Sequence, residues 1–227
     1  MRATSKGWAM RVVVAPDCFT GTLTAVEAAE AMVAGWRRTD PGAEFDLAPM
    51  SDGGPGFVAA LHASLRGTVH RHQVSGPLGT PTTADLLVMP DGTVYVEAAQ
   101  ACGTQLLAPG SQHPMDASTT GVGDLLIAAV DTFQASAVVV GIGGTASTDG
   151  GRGCVERFRS RSVAGRWPDG VPLVAASDVD NPLLGHNGAA AVYGPQKGAT
   201  PERVAEHIAK GGATTYLQTQ CALDAAK

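Results

Sequence analysis

The chain has little of what marks the commonest kinds of site. Its four cysteines, Cys18, Cys102, Cys154 and Cys221, lie far apart with no C-x-x-C pair. That spacing argues against a zinc knuckle or a disulfide framework and predicts reduced thiols. His70 and His72 would share a strand face but have no third ligand nearby, so a solvated strand is the simpler reading. No apolar run approaches the roughly 18 residues of a membrane helix. The opening "MRATSKGWAMRVVVAPD" lacks the apolar core of a secretory signal because Pro16 and Asp17 interrupt it, which predicts a cytoplasmic protein without a membrane partner. There is no G-x-x-x-x-G-K-[ST], no G-x-S-x-G, and "GVGDLL" from Gly121 lacks the third glycine of a dinucleotide fingerprint. P-loop kinases, α/β-hydrolases and Rossmann oxidoreductases each lose their usual signature. A formal net charge of −5 argues against a general nucleic-acid surface. The local run Arg152, Arg157, Arg159, Arg161 and Arg166 reads as a solvated segment.

What is present is a chain of 227 residues, 44% apolar, enough for one large domain or two small ones with a real core. "RVVVAP" reads as a strand buried on both faces. "TAVEAAEAMVAGWRR" reads as a helix opened by a Thr24/Glu27 capping box, with Ala25, Ala28, Ala29, Met32, Val33 and Trp36 along one face. A short strand, "EFDLAPM", and a helix, "FVAALHASL", follow, so the chain opens strand, helix, strand, helix. "TVHRHQVSG", "TADLLVMP" and "TVYVEAA" are strand-like, with Asp91-Gly92 as a hairpin turn between the last two. They suggest a second, smaller α/β unit. The helix "TTGVGDLLIAAVDTFQA" and the strands "SAVVVGIGG" and "VPLVAASDVDNP" restore alternation. The expected division is 11–67 as the first part of a flavodoxin-like α/β domain, 68–135 as an inserted smaller α/β domain, 136–210 as a further α/β segment and 211–227 as a weakly ordered tail.

Four apolar strands end in acids: Asp17, Asp52, Asp149, and Asp178 with Asp180. In open α/β sheets, ligands bind outside the carboxyl ends of the strands, so these loops are expected to converge on one cleft. Glycine beside the acid, as in "SDGGPG" and "GIGGTASTDGG", lets backbone N–H groups approach an anion, and a following helix N-terminus adds a favourable dipole. Any one loop is equally well a tight turn whose acid caps a helix. Together they predict phosphate or carboxylate binding, with Asp149 available to Mg2+ or a hydroxyl. Aspartates without His or Cys partners suit Mg2+ carried with a nucleotide, and hence phosphoryl transfer. Lys197, between glycines in "YGPQKGAT", is a candidate positive charge for a transferring phosphoryl group, or simply a surface lysine in a turn.

The segments "VVVAPDCFTGTLTAVEAAEAM", "SDGGPGF", "VSGPLGTP", "VEAAQACGTQLL", "TTGVGDLLIAA", "VVVGIGGTASTDGG" and "AASDVDNPLLGHNGAAAVYGPQKGAT" resemble the glycerate kinases of bacterial glycerate and glucarate catabolism. The resemblance implies ATP-dependent phosphorylation of D-glycerate, usually to the 2-phosphate, with Mg2+, on a flavodoxin-like domain carrying an inserted α/β domain. Carried over motif by motif, it places Asp17, Asp52, Gly53, Gly54, Gly143, Gly144, Asp149, Asp178, Asp180, Asn181 and Lys197 at the cleft. Asp178 or Asp180 is expected to handle Mg2+ or the attacking hydroxyl, the Gly143 and Asp149 loops to hold an anionic group, and Lys197 to offset phosphate charge.

The departures are equally specific. Where the family opens "APDSFKG", this chain has Cys18 and Thr20 in place of the serine and lysine. After Gly153, "CVERFRSRSVAGRWPDG" is short and arginine-rich, unlike the family, and the family's late "GAGAAGG" and "TGEGxxDxQ" segments are absent. The resemblance therefore implies a shortened member. The alternative reading is an inactive remnant that binds a ligand or partner without turnover.

Overall fold

A computed structural model describes residues 10–19, 21–108, 115–179, 181–182, 187–202 and 204–205. Thr20, Asp180, Cys221 and the expected tail at 211–227 lie outside the described residues.

The amino-terminal unit is built from β1 (Arg11–Val14), α1 (Ala25–Trp36) and β2 (Glu44–Leu47). Strands β1 and β2 pair in parallel, Arg11 opposite Glu44 through Val14 opposite Leu47. Helix α1 starts where the capping box predicts: Glu27 N–H donates to Thr24 Oγ1 at 3.2 Å, and Thr24 N–H donates to Glu27 Oε2 at 2.8 Å. Two orphan donors of the first turn are satisfied reciprocally. The helix buries Ala25, Ala28, Ala29 and Val33, whereas Met32 and Trp36 remain exposed. Trp36 instead packs edge-on to Phe45, with ring centroids 6.3 Å apart. The strand read as buried on both faces is covered on one: Val14 packs with Ala29 and Val33, but Val13 on the opposite face is 65% exposed. A valine run marks strand propensity, and only the neighbouring layers decide burial.

After α2 (Phe57–Leu65), five strands form a mixed sheet in the order β3 (Thr68–Ser75), β4 (Pro81–Val88), β5 (Thr93–Glu97), β6 (Ala137–Gly141) and β7 (Leu173–Ala176). The first two pairings are antiparallel and the last two parallel. The expected boundary at 135/136 falls inside this sheet, because β5 and β6 pair from Thr93–Ala137 to Glu97–Gly141. Helices α3 (Ala98–Cys102), α4 (Thr120–Ile127) and α5 (Arg152–Arg161) make the crossovers.

Period-2 alternation divides the side chains between two cores. Leu86, Val94, Val96, Val138 and Val140 face α3, α4 and α5, while Leu87, Tyr95 and Val139 face Phe57 and Val58 of α2. Coverage on both faces explains why β5 and β6 read as apolar runs. The glycines of "GVGD" set this packing instead of binding a dinucleotide. A Cβ at Gly121 would run into the Ser75 carbonyl oxygen, and one at Gly123 would stand 2.7 Å from Cys154 O on α5.

The arginine run read as a solvated segment is largely α5. Arg157 Nε donates to part-buried Asp124 Oδ1 at 2.6 Å, and Asp124 Oδ2 also accepts Ser75 N–H at 2.9 Å, tying α5, α4 and β3 together. Arg152 pairs with Glu156 and Arg166 with Asp169, so much of the run's charge is already spent. Among the described residues no helix is long and apolar enough to cross a membrane.

Candidate active site

Ligands in open α/β sheets bind beyond the carboxyl ends of the strands, and here the loops after β1, β2 and β6 touch one another and the end of β7. Cys18 Sγ donates to Pro55 O at 3.3 Å, bringing the loop after β1 against the loop after β2. Gly143 N–H donates to Gly53 O at 3.0 Å, and Ile142 N–H to Ala176 O at 3.2 Å. Gly53 has φ +88, and a Cβ there would run into the Ala176 carbonyl oxygen. At Gly143 a Cβ would stand 2.8 Å from Gly54 Cα. The glycine pairs are therefore needed for two loops to cross at backbone contact, in addition to any role toward a ligand.

The acids in these loops differ in what they do. Asp17 is exposed, and its Oδ1 accepts Cys18 N–H at 2.6 Å. Asp52 is exposed, with Oδ1 accepting Gly54 N–H at 2.7 Å in a turn that its own side chain closes. Asp178, just past β7, is exposed. Asn181 is engaged locally: its Oδ1 accepts the hydroxyl of Tyr193, at the end of the short helix Ala189–Tyr193, at 2.6 Å, and its amide donates to Asn187 O at 3.3 Å. Asp180 lies outside the described residues.

Asp149 is the acid most deeply tied into the structure. Its Oδ2 accepts Thr119 N–H at 2.9 Å and Gly153 N–H at 3.1 Å, and Oδ1 accepts Gly151 N–H at 3.0 Å. The Thr119 hydroxyl donates to it at 2.9 Å, and itself accepts Cys154 N–H at 3.0 Å. The carboxylate thus sits between the starts of α4 and α5 and accepts N–H groups from both. Helix starts draw negative charge, and here the chain supplies it internally. Ser147, which is buried, donates to Ala117 O at 2.9 Å and accepts Asp149 N–H at 3.0 Å.

Lys197, in a short 3-10 turn at Pro195–Lys197, reaches back to this loop: Nζ donates to Ser147 O at 2.8 Å and to Thr145 Oγ1 at 3.1 Å. Burial pushes its ammonium pKa down, with nearby Cys102 and Asp149 pulling the other way. A partly desolvated ammonium beside a glycine-rich loop is a strong local charge, but in this structure it braces the loop from below.

Sequence reasoning missed Glu97, which is 2% exposed at the carboxyl end of β5. Its Oε1 accepts Gly56 N–H at 3.0 Å, and its Oε2 accepts Val58 N–H at 3.2 Å and the Gln100 side-chain amide at 3.1 Å. Burial pushes its carboxyl pKa up, opposed by these hydrogen bonds and reinforced slightly by Asp85. The available signal was one acid inside the apolar run "VYVEAA". Buried Cys102 and part-buried Cys154 have thiols pushed up to about 12 by desolvation, which makes them packing residues and not nucleophiles.

Among the described residues, no three His, Cys, Asp or Glu side chains group as a metal site. The exposed carboxylates still fit Mg2+ in the manner of nucleotide enzymes, where one or two carboxylates act together with phosphate oxygens.

The fold is that of an α/β protein with a parallel-rich sheet. The chain belongs to the glycerate kinase family, whose model matches residues 12–166 and 156–219. It is 48% identical over 200 residues to an uncharacterised protein of Mycobacterium bovis, covering 87% of this chain and 52% of that one. It is 38% identical over 218 residues to a glycerate kinase of Bacillus subtilis, covering 85% and 57%. To a glycerate 2-kinase of Escherichia coli it is 34% identical over 223 residues, covering 87% and 58%. A crystal structure from Salmonella typhimurium LT2, described as a candidate glycerate kinase 2, superposes with TM-score 0.71 at 31% identity, covering 96% of this chain and 64% of that one. The chain thus spans just over half the length of these curated relatives.

Proposed function

We propose that this protein is a cytoplasmic kinase that transfers the terminal phosphoryl group of ATP to a hydroxyl of D-glycerate, forming 2-phosphoglycerate with Mg2+. The observation that carries the reading is the contact of the loops after β1, β2 and β6 with one another and with the end of β7, in a chain that belongs to the glycerate kinase family. Relatives named glycerate kinase and glycerate 2-kinase support this choice of substrate and position.

Phosphoryl transfer needs positioning and charge stabilisation more than covalent chemistry. Mg2+, when bound, would supply positive charge to the phosphate oxygens. Asp178 is the exposed strand-end carboxylate best suited to hold it or to accept the glycerate hydroxyl proton, with Asp180 two residues further along the sequence. Asp17 and Asp52, on touching loops, would receive the hydroxyls of glycerate. Asp149 ties the starts of α4 and α5 together, while Lys197 brings a positive charge to the neighbouring Thr145 and Ser147. The absence of a lysine at Thr20 leaves Lys197 as the cation in the assigned set.

The test is ³¹P NMR of the folded chain with Mg-ATP and D-glycerate. A new 2-phosphoglycerate resonance that disappears in Asp178→Asn and Asp180→Asn is expected. No product from a chain shown to be folded, or unchanged product in both variants, would refute the reading.

A further inference from the structure

Helix α2 begins without a cap of its own. Its N-cap is Gly56, with φ +92 and no side chain to offer, so its first-turn N–H groups need an acceptor from elsewhere. That acceptor is Glu97, far away in sequence, one oxygen on Gly56 N–H and the other on Val58 N–H. Gln100 fixes the carboxylate from the other side. Its amide nitrogen donates to Glu97 Oε2 at 3.1 Å while its oxygen accepts Asp85 N–H at 2.8 Å, so the acid is braced to β4 as well.

Upstream, the same loop is held by Gly53 O accepting Gly143 N–H, and by close packing of Gly53 against Ala176 O. Asp52 sits between this crossing and the strand β2, with Gly54 N–H on its carboxylate. The loop is thus pinned at both ends, by backbone crossing on one side and by Glu97 on the other. We propose that Glu97 is the positioning residue of the Asp52 loop, its buried carboxylate fixing the start of α2 and so the place of Asp52, Gly53 and Gly54 at the strand edge. The functional part of this proposal rests on the kinase reading; the structural part does not.

Glu97→Gln keeps the size of the side chain but sets an amide donor against one of the two helix N–H groups. Asp124→Asn serves as the comparison, since it weakens a part-buried pair that braces α4 and α5 away from this loop. Three measurements are made on the full chain: amide hydrogen exchange over 52–58, kinetics with D-glycerate and ATP, and the thermal midpoint. Glu97→Gln is expected to speed exchange over 54–58 about tenfold and to raise KM for D-glycerate about tenfold, with kcat within a few-fold of wild type. Asp124→Asn is expected to lower the midpoint without either change.

Unchanged exchange over 54–58 in Glu97→Gln, or a KM shift of the same size in Asp124→Asn, would overturn the proposal. If wild type shows no turnover, the kinase reading fails and the exchange measurement alone decides the positioning role. If Glu97→Gln does not fold, wild-type exchange decides it. Gly56 and Val58 amides protected as strongly as β5 support the role, and amides exchanging as a free loop overturn it.

Discussion

Replacing Asp149 separates the two roles that a loop aspartate can have. Its carboxylate takes three backbone N–H groups, from Thr119, Gly151 and Gly153, and the Thr119 hydroxyl. Asp149→Ala leaves those three N–H donors without their acceptor. An unmade hydrogen bond to a buried donor costs about 1–3 kcal/mol, and the part-buried setting favours the low end. The sum is about 3–5 kcal/mol, a large share of the roughly 5–15 kcal/mol by which domains are stable. Asp149→Asn keeps one oxygen and turns an amide donor toward the others, for about 2–3 kcal/mol. At about 2–4 °C per kcal/mol for a chain of this size, the asparagine variant should melt roughly 4–12 °C lower and the alanine variant lower still. Urea unfolding followed by circular dichroism gives the free energies, and thermal scans check them. If Asp149→Asn lies within about 0.5 kcal/mol of wild type while losing phosphotransfer, the carboxylate acts on a ligand and the brace described above is refuted.

Gly53→Ala should cost at least about 2 kcal/mol by urea unfolding, because a side chain at φ +88 is strained and its Cβ meets the Ala176 carbonyl; a neutral substitution would show that the loop crossing is loose. Glu97 has a folded pKa raised by burial, so its contribution to stability is fully present below the ordinary glutamate value of about 4.3 and is lost as pH rises through the folded value. The unfolding free energy of wild type relative to Glu97→Gln should therefore fall as pH rises above about 4.3, and a constant difference would contradict the burial argument. Cys102 and Cys154, with thiols pushed up to about 12, should resist alkylation at pH 8 until the chain unfolds, as mass spectrometry of labelled peptides would show; rapid native labelling of either would refute their assignment as packing residues.

The local features legible in the sequence were those whose physics is local. Thr24 and Glu27 close a capping box because they stand three apart, and Asp91-Gly92 turns the β4–β5 hairpin with Gly92 at φ +85 because glycine alone adopts that conformation cheaply. Strand-like apolar segments bounded by turn residues located β4, β5 and β6. The limits were equally physical. The same valines that made β1 a strand said nothing about which face would be covered, and Val13 is exposed.

What the sequence by itself determined is the order of strands and helices, the turns between them and membership of the glycerate kinase family, because these depend on neighbours along the chain and on shared motifs. Tertiary structure alone decided what each charged group does. Asp149 looked available to a ligand and is spent on two helix starts, Lys197 braces the loop of Thr145 and Ser147 some 50 residues away, and Glu97, unremarked in an apolar run, closes the start of α2. A carboxylate or ammonium takes its role from the donors, acceptors and water around it, and long-range packing sets those surroundings.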